Sequence, residues 1–214
     1  MFLRYGWYTA LWSHELKDKP VAKTLLNEKI VLFRNAGGDV GALEDCCCHR
    51  AAPLSLGEIS GDYLACGYHG LKFDVSRKCV GLPDRSQVPS GARVRSYPVA
   101  EKWNVVWIWM GDPAKAEHGK IPDLPWLSEP KWTATPGRLH VKSNYQFIVD
   151  NLLDFTHVAY VQGHRGVDRI AVTAREVVEG HGVFTTVTEV PHHRAADVSR
   201  RARHQDFAAG AGYA

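Results

Sequence analysis

The chain has 214 residues, 45% of them hydrophobic, and a formal net charge of +3 at pH 7. With seven Trp that is enough apolar material for one large domain or two small ones, which excludes disorder for most of the length. The mild, evenly spread charge argues against a nucleic-acid partner, no apolar run approaches membrane-spanning length, and the start Met1-Phe2-Leu3-Arg4-Tyr5-Gly6 lacks a signal-peptide core.

The opening residues alternate in strand fashion and lead to Trp7 and Trp12. Val21 to Leu26 and Ile30 to Arg34 read as strands joined at Asn27-Glu28-Lys29. After a turn at Asn35-Ala36-Gly37-Gly38-Asp39, Val40 to Glu44 runs into Cys46-Cys47-Cys48-His49. Tyr63 to Ala65 runs into Cys66-Gly67-Tyr68-His69, and Leu71 to Asp74 leaves it. Arg93 to Val99 and Asn104 to Trp109 complete an antiparallel set closed by Gly111-Asp112-Pro113. Residues 1–113 are therefore expected to form a small all-β domain with the two Cys/His stretches at hairpin tips.

Those tips carry the chemistry. Each offers one thiolate and one imidazole, as C-x-H at Cys47 and His49 and C-x-x-H at Cys66 and His69. Such a set could hold one tetrahedral Zn²⁺ or a [2Fe–2S] cluster with two thiolates on one iron and two imidazoles on the other. Zinc fingers usually pair Cys with Cys and His with His, so the mixed spacing favours the cluster. Three consecutive cysteines suit metal-bound thiols in a reducing compartment, the cytoplasm, better than a disulfide framework. Cys46, Cys48 and Cys79 read as small buried hydrophobes without a ligand role.

Residues 114–130, with Pro122, Pro125 and Pro130, read as a surface linker anchored by Trp126 and Trp132. A partial second domain is expected over 131–190. In it Ser143-Asn144-Tyr145-Gln146 has a capping-box pattern, and the apolar residues after it predict a helix from about Asn144 to about Tyr160. Asn151, Asp154 and His157 share one face of that helix. The plain reading is its wet side; the sharper one is a buried Asp–His pair beside a metal. Val172 to Val178 and Val183 to Glu189 read as a hairpin, and residues 191–214 as a low-complexity tail.

The residues His49-Arg50, Ala52-Pro53-Leu54-Ser55, Tyr68-His69-Gly70 and Phe73-Asp74 around the four ligands, and Asp150-Asn151-Leu152-Leu153-Asp154-Phe155-Thr156-His157 further on, resemble the Rieske non-haem iron oxygenases. Within that family the chain, from about Trp7 to about Gly166, is most similar to the vanillate O-demethylase and dicamba monooxygenase group. The resemblance implies an α+β fold, an all-β Rieske domain followed by a helix-grip-like catalytic domain. It assigns Cys47 and Cys66 to one iron and His49 and His69 to the other. It makes His157 a ligand of a mononuclear Fe(II), Asp154 the acid linking that iron to His69 of a neighbouring subunit, and Asn151 a residue bordering the iron on the substrate side.

The implied function is that of a terminal oxygenase. Electrons from NAD(P)H reach it through a partner reductase or ferredoxin, and Fe(II) activates O₂ to hydroxylate or O-demethylate an aromatic compound, in a homotrimer. Two departures from the family qualify this. Gln162 stands where a second histidine ligand is expected, leaving three readings open: Gln162 as a weak ligand, His164 as a displaced one, or no functional iron site. The family's later carboxylate ligand has no counterpart, which reads as a C-terminal truncation or a frame change. The rival expectation is a Rieske-only electron carrier or an inactive remnant.

Overall fold

A computed structural model describes residues 2–76, 78–82, 88–127, 130, 132–136, 139–154, 172–177 and 183–191. In chain order these contain β1 (Trp7–Trp12), β2 (Val21–Leu25), β3 (Glu28–Arg34), β4 (Val40–Glu44), β5 (Glu58–Ser60), β6 (Tyr63–Ala65), β7 (Lys72–Phe73) and β8 (Cys79–Gly81). There follow β9 (Val99–Lys102), β10 (Val105–Trp109), β11 (Trp132–Pro136), β12 (Leu139–His140), α1 (Tyr145–Leu153), β13 (Val172–Val177) and β14 (Val183–Pro191). The sheets run β1-β10-β9, β2-β3-β4, β5-β6-β7-β8 and β11-β14-β12, with β13 paired to β14.

Two strands explain the layering. In β3 the unbroken run Ile30-Val31-Leu32-Phe33 is wholly buried because both faces are covered. Ile30 and Leu32 pack towards β1 and β10 with Leu11, Val106 and Ile108, whereas Val31 and Phe33 pack towards the ligand-bearing sheet with Leu54, Leu64 and Phe73. In β10, Val106 and Ile108 share the first of these cores, while Val105 and Trp107 meet Ile121, Leu124 and Leu127 on the other side. A continuous apolar run is what a strand covered on both faces needs, and each such side chain stabilises the fold by roughly 1.5–3 kcal/mol. The expected linker is thus a strap with buried side chains of its own: Ile121, Leu124 and Leu127 anchor it, and Trp126 is only half-buried.

Several expectations need correction. The β2–β3 turn is Leu26-Asn27, not Asn27-Glu28-Lys29, with φ of 49° and 64°, as a two-residue hairpin loop of the primed type demands. Leu26 tolerates that backbone because its side chain is buried in the core. Residues 93–98 form no strand; they lie along β4 through Glu44 N–H to Arg95 O (2.8 Å) and Tyr97 N–H to Ala42 O (3.0 Å), and the strand proper begins only after Pro98. Helix α1 stops at Leu153, with Asp154 as a non-helical cap at φ −92° and ψ 91°. Its N-cap is Asn144, whose side chain accepts from the Gln146 N–H (3.0 Å). The hairpin of β13 and β14 is as expected, whereas β5, β8, β11 and β12 are strands that the pattern did not reveal.

Candidate iron–sulfur centre

The two ligand loops are built on one backbone frame. In the first, Cys47 N–H donates to Ala52 O (2.8 Å) and Ala51 N–H donates to Cys47 O (2.9 Å). In the second, Cys66 N–H donates to Leu71 O (2.8 Å) and Gly70 N–H donates to Cys66 O (2.8 Å). Ala51 and Gly70 hold the same place in the frame, both left-handed, at φ 55° and 68°. Each loop is thereby a closed tip whose Cys points inward and whose His stands at the outer end.

Two glycines let the tips touch. A Cβ on Gly57 would stand 2.0 Å from the Ala65 carbonyl oxygen, and one on Gly67 would stand 2.8 Å from that of Leu56. Neither position accepts a side chain without moving backbone.

The result is a two-by-two donor set. Cys47 and Cys66 are each only 2% exposed, and their thiols are in contact. Burial pushes the Cys47 thiol up to about 11, and the neighbouring Cys66 adds to the rise, against a lowering by the His49 N–H. Two thiols crowded in a dry pocket become a stable thiolate pair once a cation binds between them. His49 and His69 are exposed, with ring centroids 4.6 Å apart, and the Tyr68 ring lies 3.8 Å from that of His69. One pair of thiols and one pair of imidazoles fits a cluster of two irons.

The remaining cysteines are placed differently from one another. Cys48 is exposed between the two first-loop donors with its thiol against that of Cys47, Cys46 is half-buried, and the buried Cys79 donates its S–H to Gly81 O (3.6 Å). Of the second constellation, Asn151 lies in the last turn of α1 and Asp154 caps it, and both are exposed rather than buried. His157, Gln162 and His164 lie outside the described residues, as does the tail from 192. Phe2 packs on Tyr145 with centroids 5.3 Å apart, which ties the start of α1 to the first sheet layers.

The family model for the Rieske [2Fe-2S] domain matches residues 6–98, and that for the vanillate O-demethylase oxygenase C-terminal domain matches residues 141–210. The chain belongs to the Rieske oxygenase family. Over 162 residues it is 49% identical to the toluene-4-sulfonate monooxygenase system iron-sulfur subunit of Comamonas testosteroni, covering 75% of this chain and 47% of that one. Over 192 residues it is 40% identical to the dicamba O-demethylase oxygenase component of Stenotrophomonas maltophilia, covering 89% and 57%. The crystal structure of dicamba monooxygenase with non-heme iron and dicamba superposes with a TM-score of 0.70 at 39% identity, covering 83% and 51%. The chain spans about half the length of the curated relatives it matches.

Sequence reasoning gave no structural role to the residues that make this Rieske frame close: Gly57, Gly67, and the pair Asp45 and Ser55. Asp45 accepts from both the Ser55 N–H (2.7 Å) and the Ser55 hydroxyl (2.6 Å). Their only sequence signal is an acid and a hydroxyl flanking the first ligand loop.

Proposed function

We propose that this chain carries the electron-entry part of an aromatic-ring or O-demethylating terminal oxygenase, with Cys47, Cys66, His49 and His69 as its cluster ligands. The observation that carries the reading is the separation of the donors into a buried thiol pair and an exposed imidazole pair. When bound, the cluster supplies one-electron storage at a potential above that of all-thiolate ferredoxins. The residues do the rest. Cys47 and Cys66 sit where the β5–β8 sheet and Leu54 keep water out. His49 and His69 bring two exposed ring edges to the tip, where electrons and protons can pass to a neighbouring site.

The division into residues 1–113, a strap over 114–130 and a catalytic part over 131–190 belongs to the same proposal. His157 would hold a mononuclear Fe(II), with Asn151 and Asp154 beside it and Gln162 or His164 as candidates for a further ligand. The similarity to a toluene-4-sulfonate monooxygenase subunit and a dicamba O-demethylase component suggests a small aromatic substrate bearing a methyl or methoxy group. A reductase or ferredoxin would deliver electrons from NAD(P)H, a homotrimer would place one subunit's tip beside the next subunit's iron, and the cytoplasm would be the compartment. No described helix is long and apolar enough to cross a membrane.

A second reading is a Rieske-only electron carrier, which would rest on the same buried thiol pair and exposed imidazole pair. Iron per chain together with the visible spectrum tests both readings. About two irons in a red-brown protein support the carrier, about three support the oxygenase, and a colourless protein with one Zn²⁺ overturns both.

A further inference from the structure

We propose that Asp45 is a positioning residue for the cluster, setting the spacing of both ligand loops through its hold on Ser55; the inference rests on the Rieske reading above. The Asp45 carboxylate spends both oxygens on one residue ten positions away, taking the Ser55 N–H at 2.7 Å and the Ser55 hydroxyl at 2.6 Å. Bonds to a carboxylate are short and strong, and two at once fix direction as well as distance. Asp45 is itself pinned, since its N–H donates to Lys29 O (3.0 Å) on β3. The first ligand loop therefore leaves the sheet and returns to it at one fixed point.

The second loop is seated on that same point. Ser55 leads directly into Leu56 and Gly57, the residues whose backbone abuts Gly67 and Ala65. Gly57 N–H donates to the carbonyl of the fully buried Leu54 (3.0 Å), so the segment cannot slide outward. A continuous path of contacts thus runs from β3 through Asp45 and Ser55 to Gly57, then to Ala65 and Cys66. Releasing Ser55 loosens the first loop and the seat of the second together, which changes the spacing of Cys47 and Cys66. Nothing in this role touches the cluster atoms; the carboxylate acts through the backbone it holds.

The test uses the full chain, comparing Asp45→Ala, Ser55→Ala and Ser55→Thr. Cluster loss to an iron chelator is followed by visible absorbance, and the reduced protein is examined by electron paramagnetic resonance. Asp45→Ala should lose its cluster about tenfold faster or more, the range expected on removing a group that orients metal ligands, with altered g-values. Ser55→Ala should fall between it and the wild type. Ser55→Thr, which keeps the hydroxyl, should behave as wild type. If Asp45→Ala does not fold, the contrast between Ser55→Ala and Ser55→Thr decides. Unchanged retention and g-values in Ser55→Ala, a lowered melting temperature as the sole effect, or equal loss in Ser55→Ala and Ser55→Thr each overturns the proposal. A wild-type protein without the red-brown cluster overturns the Rieske reading instead.

Discussion

Gly57 and Ala65 are packed so closely that a Cβ on the glycine would stand 2.0 Å from the alanine's carbonyl oxygen. This contact holds the end of the first ligand loop against the strand leading into the second. Both partners at the contact are backbone, so no flexible side chain can yield.

Gly57→Ala should consequently part the two loops. We expect a loss of about 3 kcal/mol or more in stability and a protein that fails to retain its visible chromophore. Gly67→Ala, whose added carbon would meet the Leu56 carbonyl at 2.8 Å, should do the same more mildly. Thermal melts with absorbance at the cluster bands check the ranking, and a Gly57→Ala protein with wild-type colour and melting temperature would refute it.

Ala51 offers the opposite change. It occupies at φ 55° the place that Gly70 fills at φ 68° in the matching frame, and a left-handed alanine costs roughly 1–2 kcal/mol. Ala51→Gly should raise stability by up to about 1 kcal/mol, part of the relief being offset by the greater freedom of glycine in the unfolded chain. Gly70→Ala should lower it. Denaturant midpoints of the two variants should move in opposite directions.

The thiols should separate cleanly by substitution. Cys47→Ser or Cys66→Ser removes half of the buried pair and should leave a colourless protein. Cys46→Ser and Cys48→Ser, and Cys79→Ser at the buried site on β8, should keep the visible spectrum. Bleaching by Cys48→Ser with retention in Cys47→Ser would shift the ligand register of the first loop by one residue.

A pH effect is expected from Glu28. Its carboxylate accepts from Arg4 (2.6 Å), Arg95 (2.8 Å) and the Tyr97 hydroxyl (2.7 Å). Burial alone would raise its pKa, but the bonds from Tyr97 and Arg4 and the charges of Arg95 and Arg4 outweigh that and hold it below the usual carboxylate value. Burial, then the bond to Glu28, pushes the Tyr97 hydroxyl up, so it stays a donor through the neutral range. A depressed folded value means that the stabilisation is fully present above the unfolded pKa and is lost as pH falls through the folded one. Stability should therefore decline on acidification below about pH 4.5. Glu28→Gln should cost about 1–2 kcal/mol at pH 7 and flatten that decline, as read from melting temperatures across pH.

The donor spacing C-x-H and C-x-x-H, the strands that lead into both ligand loops and the existence of β3 and β10 were legible from the sequence. Ligand spacing and hydrophobic runs are local properties, written in consecutive residues. Other features rest on contacts between distant positions. The helix was expected to reach Tyr160, yet α1 ends at Leu153 on Asp154, with no Gly or Pro at that point to announce the stop. The turn at Leu26-Asn27 exists because Leu26 is drawn into a core shared with β1 and β10. The same holds for the Gly57–Ala65 contact and the Asp45–Ser55 pair. Sequence alone determined that two thiols and two imidazoles stand at this short spacing along the chain; only tertiary structure decided how far apart they stand in space, because that separation is set by backbone carbonyls and a carboxylate brought together by folding.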